Sequence, residues 1–202
     1  MNKNAFEVMF MNKKSQSGRT ILEMIMVLFF LGTLAVSTMA LVAKGIDKYK
    51  ASLILSQIRD VRKAVSSRYA ALGIYTGLSV EVMTKERILP SNMVDGNKLY
   101  HTFKGEVALS VGNSGGTGRS FKITFPGIPL QNCLDLALID WATDSTAALV
   151  SIKINTMEYE WEVNKVEGGE LVAPSDNALP ITASKAVSAC KEGNNSLTWE
   201  FN

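Results

Sequence analysis

The pattern of apolar and polar residues separates a short N-terminal stretch, a long helix and a mixed remainder. Residues 24–43 carry no charged side chain over 20 positions. As a helix this run would be about 30 Å long, which is enough to cross the hydrocarbon core of a bilayer. No later run approaches this length, so the sequence predicts a single membrane segment at residues 24–43.

Beyond the apolar run, the helical pattern continues on one face only. Apolar side chains recur at steps of mostly three or four residues, at Ile46, Tyr49, Leu53, Ile58, Val61, Val65, Tyr69 and Leu72. Since the first proline of the chain is Pro90, nothing forces a kink. We predict one helix over residues 19–72, about 80 Å long, that ends near Gly73. Its amphipathic second half needs a globular partner, which residues 73–202 are expected to provide.

The remainder alternates between helix-like and strand-like patterns. Short helices are predicted at residues 79–89 and 129–141, and strands at residues 107–111, 121–125, 148–154, 157–163 and 196–201. Asn155 and Thr156 would form the turn of a hairpin. The predicted fold class is α+β, with the long N-terminal helix packed on an antiparallel sheet. Trp141, Trp161 and Trp199 are assigned to the core.

Charge and composition argue against several classes of function. Residues 1–18 contain three lysines and one glutamate, which accounts for the net charge of +2, and the rest of the chain is balanced. Because there is no basic stripe, nucleic acid binding is not indicated. The glycine-rich residues 112–120 lack the spacing of a phosphate-binding loop, and His101 is the only histidine. We expect no catalytic residues, no metal and no cofactor, and a protein that is not an enzyme.

Cys133 and Cys190 are the only cysteines. On the far side of a membrane segment they fit one disulfide in an oxidising compartment, and the alternative is two unpaired buried thiols. A bridge would stabilise the fold by roughly 4 kcal/mol in the chain-entropy model.

The small residue that marks a boundary between the basic N-terminal stretch and the apolar run is Gly18, which lies before the run rather than after it. Basic residues precede this glycine, and no small-residue cleavage signal of the secretory kind follows the run. Glu23 stands at the mouth of the membrane segment, where a carboxylate is costly and marks a functional candidate. The alternative interpretation is that Glu23 reaches the lipid headgroups and has no further role.

The sequence KKSQSG, which ends at Gly18, and the following RTILEMIMVLFFLG resemble the class III signal peptide of type IV prepilins. The resemblance implies that a prepilin peptidase removes residues 1–18 as a leader by cutting between Gly18 and Arg19, and that the new amino group is methylated. Met11 is an alternative start. The segments ILPSNMVDGNKLYHTFKGEVALSV, FKITFPGIPLQNC and SACKEGNNSLTWEF are similar to type IVb pilins, in which the cysteines frame an exposed region, here residues 133–190.

The resemblance also implies a function, partners and a location. The chain would be the structural subunit of a type IV pilus, a helical homo-oligomer for adhesion, aggregation or conjugal DNA transfer. An assembly platform, an ATPase and an outer-membrane secretin would build the filament. The precursor would lie in the bacterial inner membrane, and the assembled pilus would be extracellular. Two alternatives stay open: a minor pilin or secretion pseudopilin, and a single-pass membrane receptor or enzyme that keeps residues 1–18.

In such a filament Glu23 would be buried and would need a cation. The α-amino group of Arg19 on a neighbouring subunit exists only after cleavage, so Glu23 is expected to set the axial register of assembly by pairing with it. The first mature residue of this family is usually apolar or aromatic, and Arg19 departs from that pattern. Its guanidinium, four residues before Glu23, can compete for the same carboxylate.

Overall fold

A computed structural model of the chain describes residues 17–141, 148–161, 166–167, 170–171 and 177–202. The chain divides into two compact units, residues 1–47 and residues 48–202, and we call the second unit the head. Helix α1 (Ser17–Tyr69) contributes residues to both units. Its last i→i+4 hydrogen bond joins Gly73 N–H to Tyr69 O at 3.1 Å. Gly73 has a φ of 66°, the left-handed backbone that commonly ends a helix. The sequence predicts an end near this glycine, but the helix runs from Ser17 to Tyr69 rather than over residues 19–72.

The head continues after α1 with three short helices and nine strands among the residues that the structure describes. In chain order they are α2 (Val80–Lys85), β1 (Val94–Asp95), β2 (Lys98–Leu99), β3 (Ala108–Gly112), β4 (Ser120–Ile128), α3 (Leu130–Ala137), β5 (Leu149–Ile154), β6 (Met157–Glu160), β7 (Val166–Glu167), β8 (Glu170–Leu171), α4 (Ala183–Ala189) and β9 (Asn195–Phe201).

Five strands form one antiparallel sheet in the order β3–β4–β9–β5–β6. The last strand in chain order, β9, lies at the centre, where Trp199 is opposite Ile123 on one side and Ile152 on the other. The predicted α+β class and the five predicted strands are confirmed. Strand β6 ends at Glu160, and residues 162–163 of the predicted strand lie outside the described residues. The hairpins β1–β2 and β7–β8 were not predicted.

Helix α1 buries a regular apolar stripe in the same core as the sheet. The stripe follows steps of four and three residues, at Ile54, Ile58, Val61, Val65 and Tyr69. The guanidinium of Arg62 lies 5.7 Å from the centre of the Phe201 ring, which adds a contact between helix and sheet. Four predicted positions are wrong. Ile46, Tyr49 and Leu72 are exposed, and Leu53 is only partly buried while its neighbour Ile54 is fully buried. The covered face therefore begins at Ile54.

Both predicted short helices form, but each ends early. Helix α2 starts as predicted, with the Ser79 hydroxyl accepting a hydrogen bond from Val82 N–H at 3.2 Å. It ends at Lys85 and not at residue 89, because Ile88 N–H bonds to Met83 O, one residue beyond the helical partner. Helix α3 ends at Ala137 rather than residue 141.

A disulfide joins Cys133 in α3 to Cys190, which directly follows α4, with Cα atoms 6.0 Å apart. The predicted bridge is confirmed, and the alternative of two unpaired thiols is excluded. Since Cys190 precedes β9 by only a short loop, the bridge holds α3 close to the start of the central strand.

Two asparagines complete this end of the head. The sequence predicted a turn at Asn155, but it did not predict the side-chain hydrogen bonds of Asn155 or Asn195. Asn195 is buried and donates to Ile128 O and Lys191 O, while its side-chain oxygen accepts from Lys191 N–H at 2.7 Å. The same oxygen accepts from Asn155 Nδ2, which also donates to Ala189 O. Every polar atom of the Asn195 side chain therefore has a partner, as burial requires.

We predict that replacing both cysteines with serine lowers the free energy of unfolding by about 4 kcal/mol, because the bridge spans a separation of 57 residues. Urea unfolding of the full chain in detergent, followed by tryptophan fluorescence, measures the change. Wild-type protein treated with a reductant should approach the double variant. Equal free energies for the oxidised wild type and the double variant would contradict the prediction.

Candidate assembly site

The first turns of helix α1 present an uncovered apolar surface. It begins at Ile21, and its side chains range from 74% exposed at Phe29 to 49% at Leu34. An apolar surface of this extent marks contact with a protein or a membrane. The sequence predicts that the apolar segment starts at residue 24, whereas the exposed apolar surface also includes Ile21 and Leu22. The charge of Glu23 interrupts the apolar run in the sequence, but Ile21 and Leu22 on its N-terminal side are as apolar as the residues that follow it.

Glu23 stands at the head of one stripe on this surface. The stripe continues at intervals of three and four residues through Met26, Val27, Phe30 and Leu31, which together with Leu22 and Glu23 line a shallow groove. The hydroxyl of Thr33 donates to Phe30 O at 2.9 Å, so the helix itself satisfies this polar group. Glu23 is thus a carboxylate at one end of an apolar strip.

The predicted cleavage site lies in the first turn of the same helix. Gly18 and Arg19 follow Ser17, the first residue of α1. The side chain of Arg19 and those of residues 36–41 and 43 in the predicted membrane segment lie outside the described set. Within the part of the chain that the structure describes, no helix combines the length and apolar character of a membrane span. The peptidase site and the partner of Glu23 stay predictions.

Glu200 is a buried carboxylate in the head. Its side chain accepts from the Ser120 hydroxyl at 2.5 Å and from Ser114 N–H at 3.1 Å, and it pairs with Lys122 at 3.1 Å. Burial alone would raise the pKa of Glu200, but these hydrogen bonds outweigh it and hold the pKa below its usual value. Gly112 leaves the necessary room, since a Cβ there would collide with Ser120 and Glu200. The cluster is satisfied internally and joins β9 to the β3–β4 turn.

His101 is also a structural residue. Its Nδ1 accepts from Phe103 N–H at 3.1 Å, so Nε2 carries the proton and donates to Pro126 O at 2.6 Å. The ring stacks on Phe125 with centroids 5.1 Å apart. Burial lowers the pKa of His101, although the bond to the Pro126 carbonyl opposes this. No group of three metal-ligating side chains occurs among the described residues.

Comparison with known proteins assigns the family. A family model described as PilS N-terminal matches residues 48–202, the whole head. The chain belongs to the PilS N-terminal family. The resemblance to type IVb pilins is thereby confirmed. This PilS-family chain is 24% identical over 193 residues to the major structural subunit of bundle-forming pilus from Escherichia coli O127:H6 (strain E2348/69 / EPEC), with 94% of this chain and 96% of that protein covered.

A solved structure of a type IV pilin shares the fold of the chain. TcpA, a type IV pilin from Vibrio cholerae El Tor biotype, is similar to the PilS-family chain with a TM-score of 0.50 and 11% identity, over 76% of this chain and 99% of that one. The predicted type IV pilin fold is confirmed. The type IV b pilin from Salmonella typhi has a TM-score of 0.46 and 15% identity, over 73% and 98% of the two chains.

We predict that Glu23→Gln leaves cleavage after Gly18 intact but reduces the yield of filaments by about tenfold or more. Removing one member of a buried ion pair costs about 3–5 kcal/mol, because the other charge stays buried without a partner. Sheared filaments are quantified by immunoblot beside the cell-associated processed subunit. Glu192→Gln makes the same change at an exposed carboxylate of the head and should assemble normally. Normal filaments from Glu23→Gln would contradict the register role.

We predict that the PilS-family chain loses stability as the pH falls below about 6.5. The unfolded chain then binds a proton at His101, with an ordinary pKa of 6.5, while the folded chain with its lowered pKa does not. The loss is at most about 1.4 kcal/mol per pH unit, and it levels off once the pH is below the folded pKa. Urea unfolding between pH 5 and pH 8 measures it.

Because His101 is the only histidine of the chain, His101→Gln should remove this dependence between about pH 5 and 6.5, where carboxylates contribute little. A variant that keeps the wild-type slope in that range would show that another group is responsible.

Proposed function

We propose that this chain is the structural subunit of a type IVb-like pilus, an extracellular filament made of many copies of it. The uncovered apolar surface of helix α1 carries the proposal, in a chain that aligns along almost its whole length with a major pilus subunit. Packing this surface against the same surface of neighbouring copies removes apolar area from water and stabilises the filament by about 25 cal/mol per Å².

The same side chains need an apolar environment before assembly. We assign residues 24–43 of the precursor to the bacterial inner membrane and residues 1–18 to a cytoplasmic leader that a prepilin peptidase removes. An assembly platform, an ATPase and an outer-membrane secretin are the further partners of this route. Phe29 and Phe30 are each at least 66% exposed, and such surface is compatible with lipid as well as with protein.

Glu23 sets the alignment of subunits in this proposal. Apolar side chains can slide past one another at little cost because the hydrophobic effect has no direction. The carboxylate of Glu23 at the end of the stripe finds the α-amino group of Arg19 on a neighbour at one axial offset only, and a buried charge without a partner is strongly disfavoured. Hydrophobic burial thus supplies affinity, and the ion pair supplies the register.

The filament has no catalytic role in this proposal and acts through its surface, in adhesion, aggregation or conjugal DNA transfer. The turn between β3 and β4 is one such surface, with Asn113, Gly115, Gly116, Thr117 and Arg119 exposed. Surface turns on a rigid sheet commonly carry binding specificity. A minor pilin would share the subunit architecture, and abundance in sheared filaments separates the two, because only a major subunit dominates them.

We predict that the subunit in sheared filaments begins at Arg19, as read by mass spectrometry of its N-terminal peptide. If the peptidase pocket excludes side chains larger than that of glycine, Gly18→Val should block processing and filament formation. Gly18→Ala should then be processed better than Gly18→Val. Gly45→Val is the matched control, because a Cβ at Gly45 meets no atom within 4 Å in the chain. Filaments built from subunits that start near Met1 or Met11 would overturn the proposal.

A further inference from the structure

A small cavity lies in the head beside the end of helix α2, and the filament function makes no use of it. Its volume is about 240 Å³, and Thr84, Arg87, Leu89, Ser91 and Val94 line it. Leu89, Ser91 and Val94 belong to the segment ILPSNMVDGN, which the sequence singles out without assigning it a role. The wall is therefore mixed, with two aliphatic side chains, two hydroxyls and one guanidinium.

Arg87 occupies a backbone position where glycine is usual. Its φ is 55°, its N–H bonds to Thr84 O at 3.0 Å, and the next residue, Ile88, donates to Met83 O at 3.3 Å. This is the hydrogen-bond pattern that ends helices with a left-handed residue, a position that strains any side chain with a Cβ. Glycine would end α2 with less strain, so the presence of arginine points to a use for the side chain.

The charge of Arg87 has no ion-pair partner among the described residues, whereas its neighbours are paired. Lys85 binds Glu81 at 2.7 Å. Arg68 holds both oxygens of Glu86, at 2.5 and 2.9 Å. Glu81 and Glu86 are thus engaged with other cations, and the guanidinium of Arg87 keeps its positive charge for an incoming anion.

The hydroxyls of Thr84 and Ser91 also favour a ligand that accepts hydrogen bonds. Thr84 Oγ1 is buried without a hydrogen-bond partner in the described part of the chain, which is costly for a polar atom. A rotation about its Cα–Cβ bond exchanges the hydroxyl with the methyl group, and threonine populates more than one such rotamer in helices. An acceptor in the cavity would give this hydroxyl a partner, and Ser91 supplies a second donor from the opposite segment.

We propose that this cavity binds a carboxylate carried on a small aliphatic group. The planar guanidinium of Arg87 holds both carboxylate oxygens, the hydroxyls of Ser91 and Thr84 donate to them, and the aliphatic group lies against Leu89 and Val94. The cavity is smaller than the roughly 300–1,000 Å³ of sites for drug-sized ligands, so it accepts only a few carbon atoms. Both a free short-chain acid and the terminal carboxylate of a peptide that ends in a small aliphatic residue have this chemistry.

Saturation-transfer NMR on the full chain in detergent tests the proposal with four probes. Isobutyrate represents the free acid and N-acetylvaline the peptide terminus, isobutyramide removes the charge, and inorganic phosphate removes the aliphatic group. We expect saturable binding of at least one of the two carboxylates, and the tighter one identifies the source. Isobutyramide should not bind, and phosphate should bind more weakly. Binding of neither carboxylate, or tighter binding of phosphate, would overturn the proposal.

Variants locate the binding. Arg87→Gln should raise the dissociation constant by about tenfold or more, because a charge-assisted bidentate contact is lost. Arg119→Gln removes the same charge from the exposed β3–β4 turn and should bind as the wild type does. Thr84→Val should weaken binding without lowering the melting temperature, because it removes a buried hydroxyl that has no partner. Wild-type affinity in Arg87→Gln, or an equal loss in Arg119→Gln, would contradict the assignment.

Arg87→Gly separates binding from folding. It should raise the melting temperature, because glycine adopts the left-handed backbone without strain, and it should abolish binding. Lys104→Gly is the matched control, since Lys104 is also an exposed cation with a φ of 65°. This control should gain stability and keep the affinity. Retained binding in Arg87→Gly would show that the guanidinium is not the anion ligand.

Discussion

The first turns of helix α1 expose apolar side chains that are unfavourable in water, and the proposed membrane and filament states of the protein follow from this constraint. Side chains such as Phe29 and Phe30 have most of their surface exposed. Exposed apolar surface of this extent is stable only in lipid or against other protein. We propose that the chain uses both in turn, and that Glu23, a single carboxylate at the edge of this surface, distinguishes the correct packing from all others.

The second half of the same helix is part of the head, and the rest of the head covers its apolar stripe. From Ile54 onward the apolar stripe is buried in the core that also contains Trp199 and Phe201 of the central strand. The sheet has antiparallel partners on both sides of β9, and Asn195 and the disulfide hold the start of that strand to neighbouring elements. The head is thereby a rigid carrier for its exposed turns.

Local patterns predicted the elements well and their ends poorly. The helix, the alternating strands and the turn at Asn155 follow from periodicity and turn chemistry, and all are present. Periodicity does not distinguish Leu53 from Ile54, because two adjacent apolar residues fit a helical period equally well and only the opposing sheet decides which one is buried. Helix α4 and the bonds of Asn195 depend on contacts between residues that are far apart in the sequence. Arg87 has a left-handed backbone at the end of α2, where the sequence has no glycine or asparagine to indicate it. Helix α4 and the bonds of Asn195 arise from tertiary contacts, which sequence periodicity does not record, whereas the end of α2 depends on local hydrogen bonds around a left-handed residue.

The central position of β9 has a consequence for biogenesis. Strand β5 follows β4 in the sequence of this sheet, but the two strands do not pair with each other. Each pairs with β9, so the two halves of the sheet stay separate until residues 195–201 have been synthesised. A polypeptide that lacks these residues cannot close its core, because β4 and β5 have no direct pairing. The sheet is therefore completed late, and a chain that lacks its last strand exposes unpaired strand edges to proteases and to other chains.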